Sequence, residues 1–148
     1  MKSALVVLAL ALPSLVSAEE IFLSCQVTQI AASEKEGRTD AKLKKIAKFL
    51  EKDAATQKYQ SFRYVGKRSL NATKTSSGTA KLKNGDKLSV RVISVHRAQK
   101  KNTLTIDLTV GGSSWQKSFI DRDYLIVPAG SLDKKSDLVV ALHCPVFP

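Results

Sequence analysis

Residues 103–110 alternate without error, with Leu104, Ile106, Leu108 and Val110 set against Thr103, Thr105, Asp107 and Thr109. Successive side chains of a strand point to opposite faces, so this segment reads as a strand with one buried and one wet face, the usual condition of an antiparallel sheet. Gly111-Gly112 follows as a tight turn. Pairing Val110 with Ser113 then places Trp115 and Phe119 on the Val110 face, so register and hydrophobicity agree.

Asn84-Gly85 marks a second hairpin, between Thr79–Lys83 and Asp86–Val95. A two-residue loop would pair Lys83 with Asp86 and turn Leu82 away from Leu88 and Val90. A three-residue loop, with Gly85 left-handed as a bulge, pairs Leu82 with Asp86 and Ala80 with Leu88. It keeps Ala80, Leu82, Leu88, Val90 and Val92 on one face, so side-chain burial selects it.

Further strand signals occupy most of the chain. Ile21, Leu23, Cys25 and Val27 alternate with Phe22, Ser24, Gln26 and Thr28. Tyr59, Phe62, Tyr64 and Val65 predict a strand closed by Gly66, and residues 74–78 a turn. Tyr124–Val127 reads as a short strand ended by Pro128-Ala129-Gly130. Leu138–Cys144 is nearly all apolar, as expected of a strand covered on both faces. One segment departs from the pattern. After a polar connection at 33–39, Leu43, Ile46, Ala47 and Leu50 recur at i, i+3, i+4 and i+7, with Asp40 placed to cap. That spacing predicts one amphipathic helix over residues 40–53, with Lys44, Lys45, Lys48 and Lys52 on its outer face. The expected fold is mainly β: an antiparallel β-sandwich or partly closed sheet of about seven to eight strands, with this helix inserted after the first strand.

The first residues concern address rather than fold. Lys2, an apolar run from Ala4 to Leu12, and Val16-Ser17-Ala18 before Glu19-Glu20 read as a secretory signal of bacterial style, residues 1–18, cleaved after Ala18. The run is too short to span a bilayer, and no later stretch approaches the roughly 20 apolar residues a membrane helix needs. The expectation is an exported protein, periplasmic or extracellular, with residues 19–148 as one β-rich domain. In that compartment Cys25 and Cys144 are expected to form a disulfide. The bacterial reading also leaves the Asn71-Ala72-Thr73 sequon unmodified.

Catalytic chemistry is hard to assemble. The only histidines are His96 and His143. Adjacent strand residues face opposite ways, so His143 and Cys144 do not make a dyad. Cys25, Cys144, His96 and His143 lack the short ligand spacings of structural zinc sites. Asp121-Arg122-Asp123 matches no EF-hand and reads as a solvated turn. Thr75–Gly78 and Gly111–Ser114 read as turns rather than phosphate cradles. No catalytic, metal or cofactor-binding residue is assigned, and no small-molecule cofactor is expected.

Charge supplies the functional lead. The net charge is +11, and residues 33–101 carry 19 of the 24 Lys and Arg but only 6 of the 13 acidic residues. Such asymmetry attracts an anionic polymer, lipid headgroups or an acidic protein surface. A plain alternative is a lysine-rich surface that only solubilises. The candidate contact set is Lys44, Lys45, Lys48, Lys52, Arg63, Lys67 and Arg68. Tyr59, Phe62 and Tyr64 interleave with it, either as stacking platforms like those of single-strand binders or as core beneath a solvated face.

Between Leu43 and Val110 the chain combines a Leu-Lys-Lys-Ile-Ala-Lys-Phe-Leu helix, Phe62-Arg-Tyr64-Val, Leu82-Lys-Asn-Gly and the alternating Leu104-Thr-Ile-Asp-Leu108. This pattern resembles a loose group of small exported bacterial proteins of unassigned function. The resemblance brings no catalytic residue with it. The leading expectation is a non-enzymatic exported binding module that contacts an anionic macromolecule through the basic helix face. The rival is a structural subunit of a cell-envelope secretion or adhesion assembly, acting through edge-strand pairing or an apolar patch and indifferent to salt. A third is an envelope-polymer hydrolase, which needs a cleft with at least two carboxylates.

Overall fold

The computed structural model describes residues 21–146. The segment read as a signal, residues 1–18, lies outside them. Eight strands occur in chain order: β1 Leu23–Ser33, β2 Ser61–Ala72, β3 Gly78–Lys81, β4 Lys87–Arg97, β5 Asn102–Val110, β6 Ser113–Ile120, β7 Leu125–Ser131 and β8 Asp137–His143. They form two four-stranded antiparallel sheets, ordered β2-β1-β8-β7 and β3-β4-β5-β6. Two sheets facing each other bury alternate residues of both, so the period-2 pattern becomes the core. Leu23, Cys25, Val27, Leu138, Val140 and Leu142 of the first sheet meet Leu88, Val90, Leu104, Ile106 and Leu108 of the second.

The expected hairpin registers are present. Ala80 pairs with Leu88, Leu82 N–H donates to Asp86 O at 2.8 Å, and Gly85 has φ +93°. Val110 pairs with Ser113 and Leu108 with Trp115. The hairpin tip also ties the sheets together. Lys83 N–H donates to Gln29 Oε1 at 2.7 Å, and Asn84 Nδ2 donates to Ala129 O at 2.8 Å.

A third layer explains the apolar run of β8. Its odd-numbered residues Val139 and Ala141 join Ile30, Ala32, Phe62 and Ile126 on the outer side of the first sheet, where Leu43, Ile46 and Leu50 cover them. The covering segment is not the single helix expected over 40–53. It is a 3-10 turn, Ala41–Leu43, followed by α1, Ala47–Lys52. Backbone bonds run i to i−3 from Leu43 to Phe49, and the first i to i−4 bond is Leu50 N–H to Ile46 O at 3.2 Å. The entry is pinned to β2: Asp40 N–H donates to Phe62 O at 2.8 Å, and Tyr64 N–H donates to Asp40 Oδ2 at 3.3 Å. A segment this short has little helical stability of its own, so tertiary anchoring sets its winding.

Two strands outrun their expected ends. β2 passes through Gly66 as a bulge, with Gln29 opposite Gly66 but Ile30 opposite Tyr64, which leaves Val65 without a partner. β7 passes through Pro128 to Ser131. It is an edge strand, where a missing N–H costs no ladder bond.

Candidate functional site

The uncovered half of the first sheet's outer face forms the floor of a groove of about 530 Å³, whose far wall is the 3-10 segment. From β1 come Gln26 and Thr28, of the same parity as Ile30 and Ala32 and so on the outer face. From β2 come Tyr64 and Lys67, three residues apart. In a regular strand these two would point to opposite faces. The bulge at Val65 changes that, because Tyr64 pairs with Ile30 and Lys67 with Thr28, which share a face. The covering segment supplies Lys42, Lys44 and Lys45, and Tyr124 also lines the groove.

Four lysines therefore converge on a lining that carries no carboxylate, thiol or imidazole. The nearby Asp40 is committed as a cap, accepting from Lys42 N–H at 3.1 Å and from Tyr64 N–H. All four lysines are exposed. Like charges gathered in a concavity reinforce one another's potential and draw anions in.

The candidate basic set is divided by the fold. Lys44, Lys45 and Lys67 are brought together in the groove. Lys48 and Lys52 lie on α1 outside its lining, with Lys48 Nζ 5.2 Å from the Phe49 ring centroid. Arg63 pairs with Ala31 and Arg68 with Val27, so both take the opposite parity from Lys67. Hydrogen bonds from Lys135 N–H and Ser136, with a smaller contribution from the Arg63 charge, hold the Asp133 carboxyl below its ordinary range. Lys42 and Tyr124 are additions. Lys42 lies outside the candidate set; it enters because the 3-10 turn Ala41–Leu43 brings it into the groove lining.

Of the interleaved aromatics one is core and two are half-buried. Phe62 is buried, and Tyr59 meets it edge-on at 6.2 Å while donating its hydroxyl to Asp137. Burial, followed by the Asp137 bond, raises the Tyr59 hydroxyl above its ordinary range. Lys42 Nζ lies 5.0 Å from the Tyr64 centroid, and Tyr124 stacks on His143 at 4.8 Å with Phe49 at its edge.

Other concavities are chemically different. A groove of about 540 Å³ carries Glu34, Asp133 and Asp137 together with Lys35, Lys58, Lys134 and Lys135, so its charges offset one another. An apolar cleft of about 290 Å³ lies between edge strands β6 and β7, beside a 39% exposed Trp115.

Cys25 and Cys144 form a disulfide, which takes both thiols out of any zinc set. Among the described residues no cluster of three His, Cys, Asp or Glu could hold a metal, and no helix is long and apolar enough to cross a membrane. His143 turns away from the disulfide, its Nδ1 3.2 Å from Asp123 O. Asp121 departs from the expected solvated turn. It is 4% exposed, and its Oδ2 accepts from Asn102 Nδ2 and Val146 N–H, both at 3.3 Å. It is a buried acceptor that fixes the chain beyond Cys144.

Compared with known protein families, characterised proteins and solved structures, the chain shows no match.

Proposed function

We propose that the protein is an exported, non-enzymatic binding module that holds an anionic macromolecule in the groove between the 3-10 segment and β2. The observation that carries this reading is the convergence of Lys42, Lys44, Lys45 and Lys67 on a lining without a carboxylate. The disulfide supports export, because such bonds persist mainly in oxidising compartments. Association through exposed lysines falls with salt, since charges beyond about 10 Å are screened near 0.1 M. The test is the triple change Lys44→Glu, Lys45→Glu and Lys67→Glu. Retention on heparin and on anionic vesicles at low salt drops for the variant; equal retention rejects the reading.

A second reading, a structural subunit of an envelope assembly, draws on the free edge of β6 and the Trp115 cleft. Edge strands are templates for pairing with another chain. Lys117, of the same parity as Trp115 on that edge, is a feature that discourages such pairing. Hydrolysis is served less well. Of the three carboxylates in the mixed groove, Asp137 is held by Tyr59, and Asp133 is bound within its own loop and kept ionised.

A further inference from the structure

We infer that the free edge of β6 captures an extended segment of a partner protein, one in which a carboxylate residue has an apolar residue two positions away on each side. This surface lies apart from the lysine groove and does not depend on what the groove binds.

The first observation is that the sandwich is covered unevenly. Phe119, Lys117, Trp115 and Ser113 of β6 lie opposite Leu104, Ile106, Leu108 and Val110 of β5, so they share the face that looks into the core. On β5 that face is sealed, with Leu104, Ile106 and Leu108 all 0% exposed. On β6 it is open: Trp115, Lys117 and Ser113 are exposed and Phe119 is half-buried. The other flank is closed, because β2 packs against β3 and Val92 N–H donates to Thr73 O at 3.1 Å. The core-facing side of one edge strand therefore meets solvent, at the cleft of about 290 Å³.

The second is the backbone. Every second residue of an edge strand turns its N–H and C=O away from the sheet, and an added strand pairs with those groups. β6 presents eight residues without a proline. β7, across the cleft, carries Pro128 in its middle and has no donor there, so β6 is the edge suited to pairing.

The third is charge. Lys117 is the one charged residue of β6. Among the described residues the only ion pair joins Arg91 to Asp107, so Lys117 has no carboxylate of its own. Asp53 also lines the cleft, and its Oδ1 accepts from Ala55 N–H at 2.9 Å. A lysine on an open edge repels a second copy of this chain, whose net charge is +11, and the same lysine selects an acidic strand. An added strand sets alternate side chains beside Trp115, Lys117 and Phe119, where cross-strand pairing favours apolar, acidic and apolar residues in turn. The other face of β6, with Ser114, Gln116 and Ser118, is uncharged and suits hydroxyl residues between them.

Trp115 is the only tryptophan in the chain, so its emission reports on the cleft directly. The exported chain is titrated with the peptide Thr-Val-Thr-Glu-Thr-Val-Thr and with the same peptide carrying Lys in place of Glu. The Glu peptide is expected to shift the emission to the blue, to slow amide exchange over residues 113–120, and to bind about fivefold more tightly than the Lys peptide. Lys117→Glu, a change at an exposed position, is expected to reverse that preference with an unaltered urea midpoint. The triple variant Lys44→Glu, Lys45→Glu and Lys67→Glu is expected to keep it. Equal binding of the two peptides, binding of neither, a preference lost in the triple variant, or an emission shift without slowed exchange overturns the inference. A blue shift that grows with protein concentration alone also overturns it, by making a second copy the occupant. None of these outcomes bears on retention by heparin, so the groove reading stands or falls separately.

Discussion

Cys25 and Cys144 are bonded across the two central strands of the first sheet, with Cα atoms 4.2 Å apart although 119 residues separate them. Gln26 pairs with His143, so the bond lies one step further along the same β1–β8 ladder. Both residues are fully buried against the inter-sheet core.

Closing so long a loop restricts the unfolded chain more than the folded one. Replacing both cysteines with Ala is expected to cost about 3–5 kcal/mol, read from urea unfolding. Peptide mapping without reductant should recover the Cys25–Cys144 link. Two free thiols in exported protein, or an unchanged unfolding midpoint, would contradict this.

Gln29 is fully buried, and its Oε1 is the acceptor that satisfies Lys83 N–H at the hairpin tip. Gln29→Leu removes it and leaves a part-buried donor unpaired, at a cost of about 1–3 kcal/mol. Its Nε2 finds no partner, so the substitution loses nothing on that side. Amide exchange at Lys83 should accelerate together with the fall in stability. Unaltered exchange would show that the sheets are not joined at this point.

Gly78 and Gly85 should respond differently to alanine. A Cβ on Gly78 would sit 2.1 Å from Asn71 O, a backbone atom that cannot swing aside, so overpacking of about 1–3 kcal/mol is expected. A Cβ on Gly85 meets nothing within 4 Å, and its φ of +93° leaves only a conformational cost of about 1 kcal/mol. Urea midpoints give the order directly; a larger loss at Gly85 would reverse the argument.

Tyr59 links pH to stability. Burial first, and the Asp137 hydrogen bond second, raise its pKa above the ordinary 10.0. A raised folded-state pKa stabilises fully below the unfolded value and loses that contribution as pH rises toward the folded one. The gap in melting temperature between wild type and Tyr59→Phe should therefore be constant below about pH 10 and shrink above it. A gap unchanged through the alkaline range would rule out the link.

Much of this fold was legible in local pattern. The alternation at 103–110, the bulged Asn84-Gly85 loop and the two-sided burial of Leu138–Cys144 all follow from which residues must leave water. Other elements were not legible. The helix over 40–53 gave way to a 3-10 turn and a short α1 because Asp40 is tied to Phe62 and Tyr64, residues some twenty positions away. Pro128 ended a strand on paper and continues one in the fold, because only the sheet order shows that β7 is an edge. Asp121 looked solvated, since nothing local reveals that Val146 returns to it.

The groove divides along the same line. Sequence alone determined that the chain is β-rich, that its charge is concentrated between residues 33 and 101, and that Lys44 and Lys45 face outward beside a buried Leu43. These depend on periodicity and composition, which are local. Only the tertiary structure placed Lys67 and Tyr64 on one face, separated Arg63 and Arg68 from them, and added Lys42 and Tyr124. The physical reason is the unpaired Val65: a bulge is a property of two strands in register, and one extra residue reverses the facing of every side chain beyond it.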